Sequence, residues 1–280
     1  MKYEYKNFYN EDSDSEFLDF LIDRGEKFDL IITDPPYNLG KDFGNDSDNL
    51  SLEEFLNINE KRIKKCKKLL TSEGSLVWFA IHHLVGYLQV MMYKCGLKYR
   101  RMNIWHYENG FSRLQTTPRT EYEPFLWFSK SDSDWTYNAD DVRVPYKSED
   151  RLENPVYYTD SNGEKKKWTP NPNGSLRGDV WKYPTLSGQS HQDEKTEHPT
   201  QKPESLITEL VKAFCPKNKT GNYSGRVLDP YAGSGTLGVC CEKLNKSGHE
   251  IKWVCNEIES RWVEVSEKRV EELSDTLFDG

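Results

Sequence analysis

A short apolar run that stops at two consecutive prolines is the feature that most constrains the fold of this chain. Residues 30–33 read Leu-Ile-Ile-Thr, which is typical of a strand buried in a parallel sheet. Residues 34–37 then read Asp-Pro-Pro-Tyr. Each proline fixes its own φ and disfavours helix at the residue before it. The pattern therefore predicts a buried parallel strand that ends in a rigid turn.

The groups at this turn are hydrogen-bond acceptors beside an aromatic ring. Pro35 and Pro36 have no N–H to donate, so the turn presents carbonyl oxygens and the Asp34 carboxylate. The ring of Tyr37 follows directly. Acceptors next to a flat ring suit a planar molecule that carries an amine, such as a nucleobase.

A second chemical signal combines a strand, a glycine turn, a helix, a strand and an acid. The strand-like residues 226–229 lead into residues 230–236, which read Pro-Tyr-Ala-Gly-Ser-Gly-Thr, and the next strand-like run ends at Glu257. Glycines at such a turn allow close backbone approach, and the acid can accept hydrogen bonds from two ribose hydroxyls. The turn is neither GxGxxG nor GxxxxGK[ST], so a dinucleotide or a triphosphate fits poorly. The unit predicts a nucleoside site, with a simple packing turn as the alternative.

Charge is unevenly distributed along the 280 residues. The net charge is −8, yet residues 61–130 contain 13 Lys and Arg against four Asp and Glu. Phosphate binding needs a local basic face rather than a basic protein. The run at residues 61–68, Lys-Arg-Ile-Lys-Lys-Cys-Lys-Lys, predicts either part of such a face or the solvated side of a helix.

Residues 131–197 differ from the rest of the chain. Strand-like and helix-like patterns alternate before and after them, whereas this segment is rich in polar and turn-forming residues and shows no period. Eight aromatic residues are scattered through it, which favours an ordered insertion with a small core of its own.

Cysteine usage and hydropathy indicate a cytoplasmic protein. The six cysteines form no CxxC pair, so we expect reduced thiols and no metal site. No apolar run reaches transmembrane length, and the first residues resemble no signal peptide, so we expect no membrane association.

Taken together, these motifs resemble the amino-group DNA methyltransferases. Residues 34–37 look like the catalytic motif of that family, and residues 227–236 look like its S-adenosylmethionine motif, with Tyr231 where Phe is usual. Residues 198–203, His-Pro-Thr-Gln-Lys-Pro, match the segment that precedes the cofactor motif. Glu257 and Trp262 resemble a ribose-binding Glu and its aromatic partner, which is usually Tyr. Residues 122–130 and 178–181 also resemble family segments, and the likeness extends over nearly the whole chain.

The motif order, catalytic first and cofactor last, is similar to the circularly permuted β group of these enzymes. The resemblance implies an α/β fold: a Rossmann-like, seven-stranded, mostly parallel sheet with helices on both faces. Residues 1–130 would form the catalytic half, residues 131–197 an inserted target recognition region, and residues 198–280 the S-adenosylmethionine-binding half. The strands that end at Asp34 and Asp229 would then be neighbours, with both ends at the ligand-binding edge of the sheet.

The resemblance also implies the site and its partners. Double-stranded DNA would be the substrate and S-adenosyl-L-methionine the cofactor, in a bacterial or phage-type enzyme working at the nucleoid. A homodimer and a cognate restriction endonuclease are partner arrangements that this group allows. The implied catalytic residues are Asp34, Pro35, Pro36 and Tyr37. The implied cofactor-binding residues are Asp12, His198, Thr200, Lys202, Asp229, Tyr231, Gly233, Ser234, Gly235, Thr236 and Glu257, with Asp14 as an alternative to Asp12.

The predicted reaction is methylation of a flipped-out adenine at N6. Asp34 favours adenine, because the N4-cytosine members of the family usually carry Ser at that position. N4-cytosine methylation is the first alternative. A protein-glutamine methyltransferase is a second, although those enzymes use Asn-Pro-Pro-Tyr and the opposite motif order. A binder that has lost catalysis is a third, and the intact Asp34 and Tyr37 argue against it.

Overall fold

The structure is a computed structural model, and it describes residues 7–38, 50–110, 116–187 and 193–275. The strands in these ranges are β1 Phe8–Tyr9, β2 Phe28–Thr33, β3 Leu70–Phe79, β4 Lys98–His106, β5 Tyr122–Ser129, β6 Val156–Thr159, β7 Lys165–Trp168, β8 Val180–Lys182, β9 Arg226–Asp229 and β10 Lys252–Asn256. The helices are α1 Leu18–Asp23, α2 Leu52–Leu69, α3 Val85–Lys94, α4 Glu204–Phe214, α5 Thr236–Lys246 and α6 Ser260–Asp275. A π-helical turn at Ser13–Phe17 precedes α1.

One large sheet organises the described part of the chain. Its strand order is β1-β10-β9-β2-β3-β5-β4-β8, and β5 alone runs antiparallel to its neighbours. The predicted α/β fold with a mostly parallel sheet is confirmed. The sheet has eight strands rather than the expected seven, because Val180–Lys182 adds a short parallel strand to β4.

Both faces of the central strands are covered by helices. Leu30 and Ile32 of β2 pack in the same core cluster as residues of α4 and α5, whereas Ile31 packs in the cluster formed with α1, α2 and α3. Because successive strand residues point to opposite faces, a strand covered on both sides must be apolar at every position. This explains the unbroken apolar run that ends at Asp34.

The strands that end at Asp34 and Asp229 are hydrogen-bonded neighbours. In the parallel pair of β2 and β9, Leu30 lies opposite Val227 and Ile31 opposite Leu228. The carboxyl ends of both strands therefore meet at one edge of the sheet, as the permuted motif order predicts.

The segment predicted as an insertion is only partly separate from the main domain. Asn138 hydrogen-bonds to the carbonyl oxygens of Lys212 and Cys215 at the end of α4, and Trp181 of β8 is 2% exposed within the main core. Between these anchors, β6 and β7 pair only with each other.

The expectation that this segment has its own aromatic core is wrong for the described residues. Tyr157, Tyr158 and Trp168 are exposed, whereas Trp181 joins the core of the main sheet. The segment has few aliphatic side chains between its rings, so it cannot enclose them by itself. Among the described helices, none is both long and apolar enough to cross a membrane.

Candidate active site

A cavity of about 300 Å³ opens at the carboxyl ends of β2, β9 and β10. It has the size of a small-molecule site. The structure brings nearly all of the predicted site residues to its wall: Asp12, Asp34, Pro35, Pro36, Tyr37, His198, Thr200, Lys202, Asp229, Tyr231, Gly233, Ser234, Thr236 and Glu257. Gly235 is the exception, since it faces α6 instead.

The glycine turn approaches its neighbours too closely for a side chain. Gly233 and Gly235 have φ angles of 52° and 72°, a conformation that other residues rarely adopt. A Cβ on Gly233 would lie 2.9 Å from the His198 ring, and one on Gly235 would lie 2.6 Å from Ser266. The turn thus exposes backbone to the cavity before α5 begins at Thr236.

Glu257 is held by backbone amides at the end of β10. Its two carboxylate oxygens accept hydrogen bonds from the N–H groups of Gly233, at 2.9 Å, and of Glu259, at 3.0 Å. Burial raises the pKa of Glu257, and these backbone hydrogen bonds partly oppose that shift. Each oxygen keeps further acceptor capacity, which suits the two hydroxyls of a ribose.

Asp229 is a buried carboxyl group at the end of β9. It accepts a hydrogen bond from the N–H of Tyr231 at 3.0 Å. Burial, with a smaller contribution from the nearby Asp34, raises the pKa of Asp229 to about 8. A substantial fraction of this group is therefore protonated at neutral pH.

The Asp34 carboxylate is paired with Lys202. Lys202 donates a hydrogen bond to Asp34 Oδ2, and its ammonium lies 3.3 Å from both Glu123 Oε2 and the Tyr37 hydroxyl. Tyr37 in turn donates to Glu123 Oε2 at 3.3 Å. Asp34 Oδ1 is buried and has no hydrogen-bond partner among the described residues. Lys202, which the resemblance assigns to the cofactor, thus contacts the catalytic motif directly.

Glu123 is a site residue that the motif analysis did not single out. It lies near the start of β5, and the register pairs it with Trp105 of β4 rather than with any residue of the catalytic motif. The sequence signal was the segment at residues 122–130, which resembles the family without indicating a role for this carboxylate.

Asp12 and Asp14 have different structural roles. Asp12 caps the turn that follows it, accepting hydrogen bonds from the Asp14 N–H at 2.8 Å and from the Ser15 hydroxyl at 2.7 Å. Asp14 binds Arg62 through two hydrogen bonds of 2.7 and 2.6 Å and accepts a third, of 2.6 Å, from the Tyr231 hydroxyl. Burial acts to raise the pKa of Asp14, but Arg62 outweighs it and the net pKa is lowered.

Aromatic rings form another wall of the cavity. The His198 ring packs edge-on against Trp262, with ring centroids 4.8 Å apart. Trp262 is 5% exposed, and its indole N–H has no partner among the described residues.

These features fit S-adenosylmethionine. The Glu257 carboxylate can accept hydrogen bonds from a ribose, and the turn at Gly233 lets a nucleoside approach the backbone. The rings of His198 and Trp262 supply aromatic surface on the same cavity wall. Asp34, Tyr37 and Lys202 line the same cavity as the glycine turn and Glu257. A methyl acceptor would have to bind beside these three residues.

Comparison with known proteins gives the same assignment. The N6/N4 DNA methylase family matches residues 28–268. The Type II methyltransferase M.HpaI of Haemophilus parainfluenzae is 31% identical over 90% of this chain and 69% of its own length, and the DNA adenine methyltransferase YhdJ of Escherichia coli K12 is 27% identical over 89% and 78%. The crystal structure of the M1.HpyAVI–SAM complex superimposes with a TM-score of 0.63 at 23% identity, covering 94% of this chain and 98% of that one. The chain therefore belongs to the N6/N4 DNA methylase family, the DNA methyltransferases that use S-adenosylmethionine.

Proposed function

We propose that this protein transfers the methyl group to the exocyclic N6 of an adenine flipped out of duplex DNA. The observation that carries the proposal is the Asp34 carboxylate: Asp34 lines the cavity that holds the cofactor motif, and its buried Oδ1 has no hydrogen-bond partner among the described residues. Buried acceptors in folded proteins normally have a donor. The amine of a flipped base supplies one.

The roles at the site follow from its geometry. A base must leave the helix to reach this cavity, and the ring of Tyr37 offers a surface on which it can stack. Asp34 Oδ1 and the Pro35 carbonyl oxygen would accept the two amine hydrogens, which turns the nitrogen lone pair away from them. S-adenosylmethionine, when bound, supplies an electrophilic methyl carbon.

Alignment and charge are the main contributions of the protein. Holding the amine in a single orientation makes the transfer effectively unimolecular. The amine nitrogen forms its bond to the methyl carbon as the bond from that carbon to sulfur breaks, and the electron pair of the broken bond stays with sulfur. The nitrogen is positively charged until one of its protons passes to solvent, and the Asp34 carboxylate stabilises that charge.

The cysteines support a direct transfer. Burial raises the pKa of Cys215 and of Cys240 to about 12, so neither is a thiolate nucleophile at neutral pH. Cys66 is likewise buried, and its pKa is raised to about 12. A covalent enzyme–base intermediate of the kind used for cytosine C5 is therefore not part of the proposal.

The choice of adenine rests on Asp34 and on relatives such as the adenine methyltransferase YhdJ. N4-cytosine methylation is the alternative, because a cytosine amine presents the same two hydrogens and the family includes both activities.

We assign DNA contact to the β6–β7 hairpin within the target recognition region. Its strands pair Tyr157 with Lys167 and Tyr158 with Lys166, and all eight residues of the two strands are exposed. Tyr157 is 71% exposed and Trp168 is 42% exposed. Exposed rings that lie opposite lysines suit nucleic acid, since lysines neutralise phosphates and rings stack on bases or sugars.

Expression in a host that lacks DNA methylation tests the proposal. Sequencing of the modified positions should show methylated adenine at one short sequence, in agreement with the Type II relatives. An Asp34→Ala chain should leave the same DNA unmodified. Methylated cytosine as the only product would overturn the adenine assignment. We also propose a cognate restriction endonuclease that recognises the same sequence, and the methylated DNA should resist cleavage by it.

A further inference from the structure

Lys202 lies in an unusual environment for an ammonium group. It is 7% exposed, and the rings of Phe79 and Tyr37 lie 5.2 and 5.4 Å from its Nζ atom. Its polar neighbours are the Asp34 carboxylate, the Glu123 carboxylate and the Tyr37 hydroxyl. These three groups match the three donors of an ammonium, so Lys202 is fully committed within the site.

This arrangement gives the two oxygens of Asp34 different environments. Oδ2 accepts from Lys202, whereas the buried Oδ1 accepts from no described residue. A carboxylate anchored through one oxygen cannot rotate freely, so the direction of Oδ1 is set by Lys202. The position of Lys202 is set in turn by Glu123 on β5, which is separated from β2 by β3 in the sheet.

Asp34, Glu123 and Lys202 together carry one net negative charge, which stabilises the positive charge that forms on the amine. Without Lys202, Asp34 and Glu123 would face each other as partly buried like charges, and one of them would become harder to ionise. Without Glu123, Asp34 would be paired with Lys202 alone and would become easier to ionise.

We propose that Lys202 and Glu123 are positioning residues for Asp34: Lys202 directs Oδ1 toward the target amine and holds the carboxylate ionised, and Glu123 holds Lys202 in place. The proposal rests on the amine-acceptor role given to Asp34 under the proposed function. In this proposal the main role of Lys202 is to position Asp34, rather than to contact the cofactor as the family resemblance implies.

The pKa directions of the surrounding groups agree with this assignment. Burial acts to lower the pKa of Lys202, but Asp34 and Glu123 outweigh it and the net pKa is raised, so the ammonium stays charged. Burial, Asp34 and Glu123 raise the pKa of Tyr37, and burial and Glu123 raise that of Tyr107 to about 12, so both phenols stay neutral.

Asp229 is another titratable group next to Asp34, and its pKa of about 8 places its titration on the alkaline side. Asp229 and Glu257, the other carboxyl groups that line this cavity near Asp34, are unchanged in variants of Lys202 and Glu123, so opposite shifts of an acidic limb in such variants report on the surroundings of Asp34.

The pH dependence of single-turnover methyl transfer tests the proposal. Wild type, Lys202→Met and Glu123→Gln are compared from pH 5 to 9 at saturating cofactor and DNA. In Lys202→Met we expect a slower plateau and an acidic limb moved upward by about one pH unit or more. In Glu123→Gln the limb should move downward. The cofactor affinity of both variants should stay close to that of the wild type.

Shifts of the acidic limb in opposite directions in the two variants distinguish electrostatic positioning from a loss of packing. A loss of packing would leave the limb in place in both variants. Shifts in the same direction, an unshifted limb in Lys202→Met, or a loss confined to cofactor affinity would overturn the proposal. If Lys202→Met does not fold, Lys202→Arg and Glu123→Gln carry the test: the limb must stay in place in the first and move downward in the second. The methylated nucleoside made by the wild type is identified in the same samples, so failure of the proposed function is recognised separately.

Discussion

The side chains around Asp34 are buried and connect distant parts of the sequence, whereas those of the β6–β7 hairpin are exposed and connect near neighbours. Lys202 links the end of β2 to β5, in a cavity lined by both halves of the chain. In the hairpin, Lys166 pairs with Asp160, only six residues away in the chain, and the two strands pair with no other strand in the described part of the chain.

This difference separates two requirements of a sequence-specific methyltransferase. Methyl transfer needs groups that are held rigidly in place before the substrate arrives. Burial and ion pairs between distant parts of the chain provide this rigidity. Recognition needs a surface whose side chains reach DNA and can vary without disturbing the core. Variants in the two regions should therefore fail in different assays.

The largest expected effect is that of Asp34→Ala. We expect the rate of methyl transfer to fall by about a hundredfold or more, because the carboxylate that supports charge on the amine is lost. Cofactor affinity should change little. The matched control is Asp132→Ala, which removes a highly exposed carboxylate. Radiolabel transfer to DNA measures the rate, and near-wild-type activity in Asp34→Ala would refute the role given to this residue.

Replacing the three hairpin lysines should produce the opposite profile. In the Lys165→Ala, Lys166→Ala, Lys167→Ala triple variant, we expect DNA affinity to fall by about tenfold or more at moderate salt. The slope of log affinity against log salt should shrink by about one to three, because fewer phosphates are neutralised. Cofactor binding should be unchanged.

The control is a triple variant that loses the same number of positive charges from a different surface. Lys61, Lys64 and Lys68 are exposed on α2, and their replacement by Ala should leave the salt dependence of DNA binding near that of the wild type. An equal loss in both triple variants would mean that the hairpin has no special role in DNA contact.

Burial of Asp229 should also make the free energy of unfolding depend on pH. The pKa of Asp229 is about 8 in the folded protein, against about 4 for an ordinary Asp. Its stabilising contribution is complete below pH 4 and is lost as the pH rises through about 8. The difference in free energy of unfolding between wild type and Asp229→Asn should therefore fall by more than about 1 kcal/mol from pH 5 to 8. Urea unfolding measures it, and a pH-independent difference would contradict the raised pKa.

The smallest expected effect concerns the departure from the family pattern at Tyr231. Its hydroxyl donates to Asp14, so Tyr231→Phe should lower the free energy of unfolding by about 1 kcal/mol. Tyr157→Phe on the exposed hairpin is the control, with an expected change within about 0.5 kcal/mol. Equal values for the two variants in urea would show that the hydrogen bond to Asp14 adds no stability.

The sequence was sufficient to predict the sheet edge and most of the cavity wall. The run that ends at Asp34 and the glycine turn after Asp229 each combine an apolar strand with turn residues of fixed geometry, so local chemistry determines the structure. The pairing of β2 with β9 followed from the motif order once the family resemblance was recognised.

The contacts of Lys202, Glu123 and Arg62 were not predictable in the same way. Arg62 lies in a lysine-rich run on α2, yet it is buried against Asp14, because α2 packs beside the turn that carries Asp14. Such pairs depend on tertiary packing and have no periodic signal. The hairpin posed the converse problem: its aromatic residues predicted a core, but they lie on the surface.

Identification of the methylated nucleoside is the most direct test of the account. Purified protein is given methyl-labelled S-adenosylmethionine and unmethylated duplex DNA, and the DNA is digested to nucleosides and analysed by mass spectrometry. The account predicts N6-methyladenine as the labelled product from the wild type and none from Asp34→Ala. N4-methylcytosine, or label in protein rather than in DNA, would contradict it.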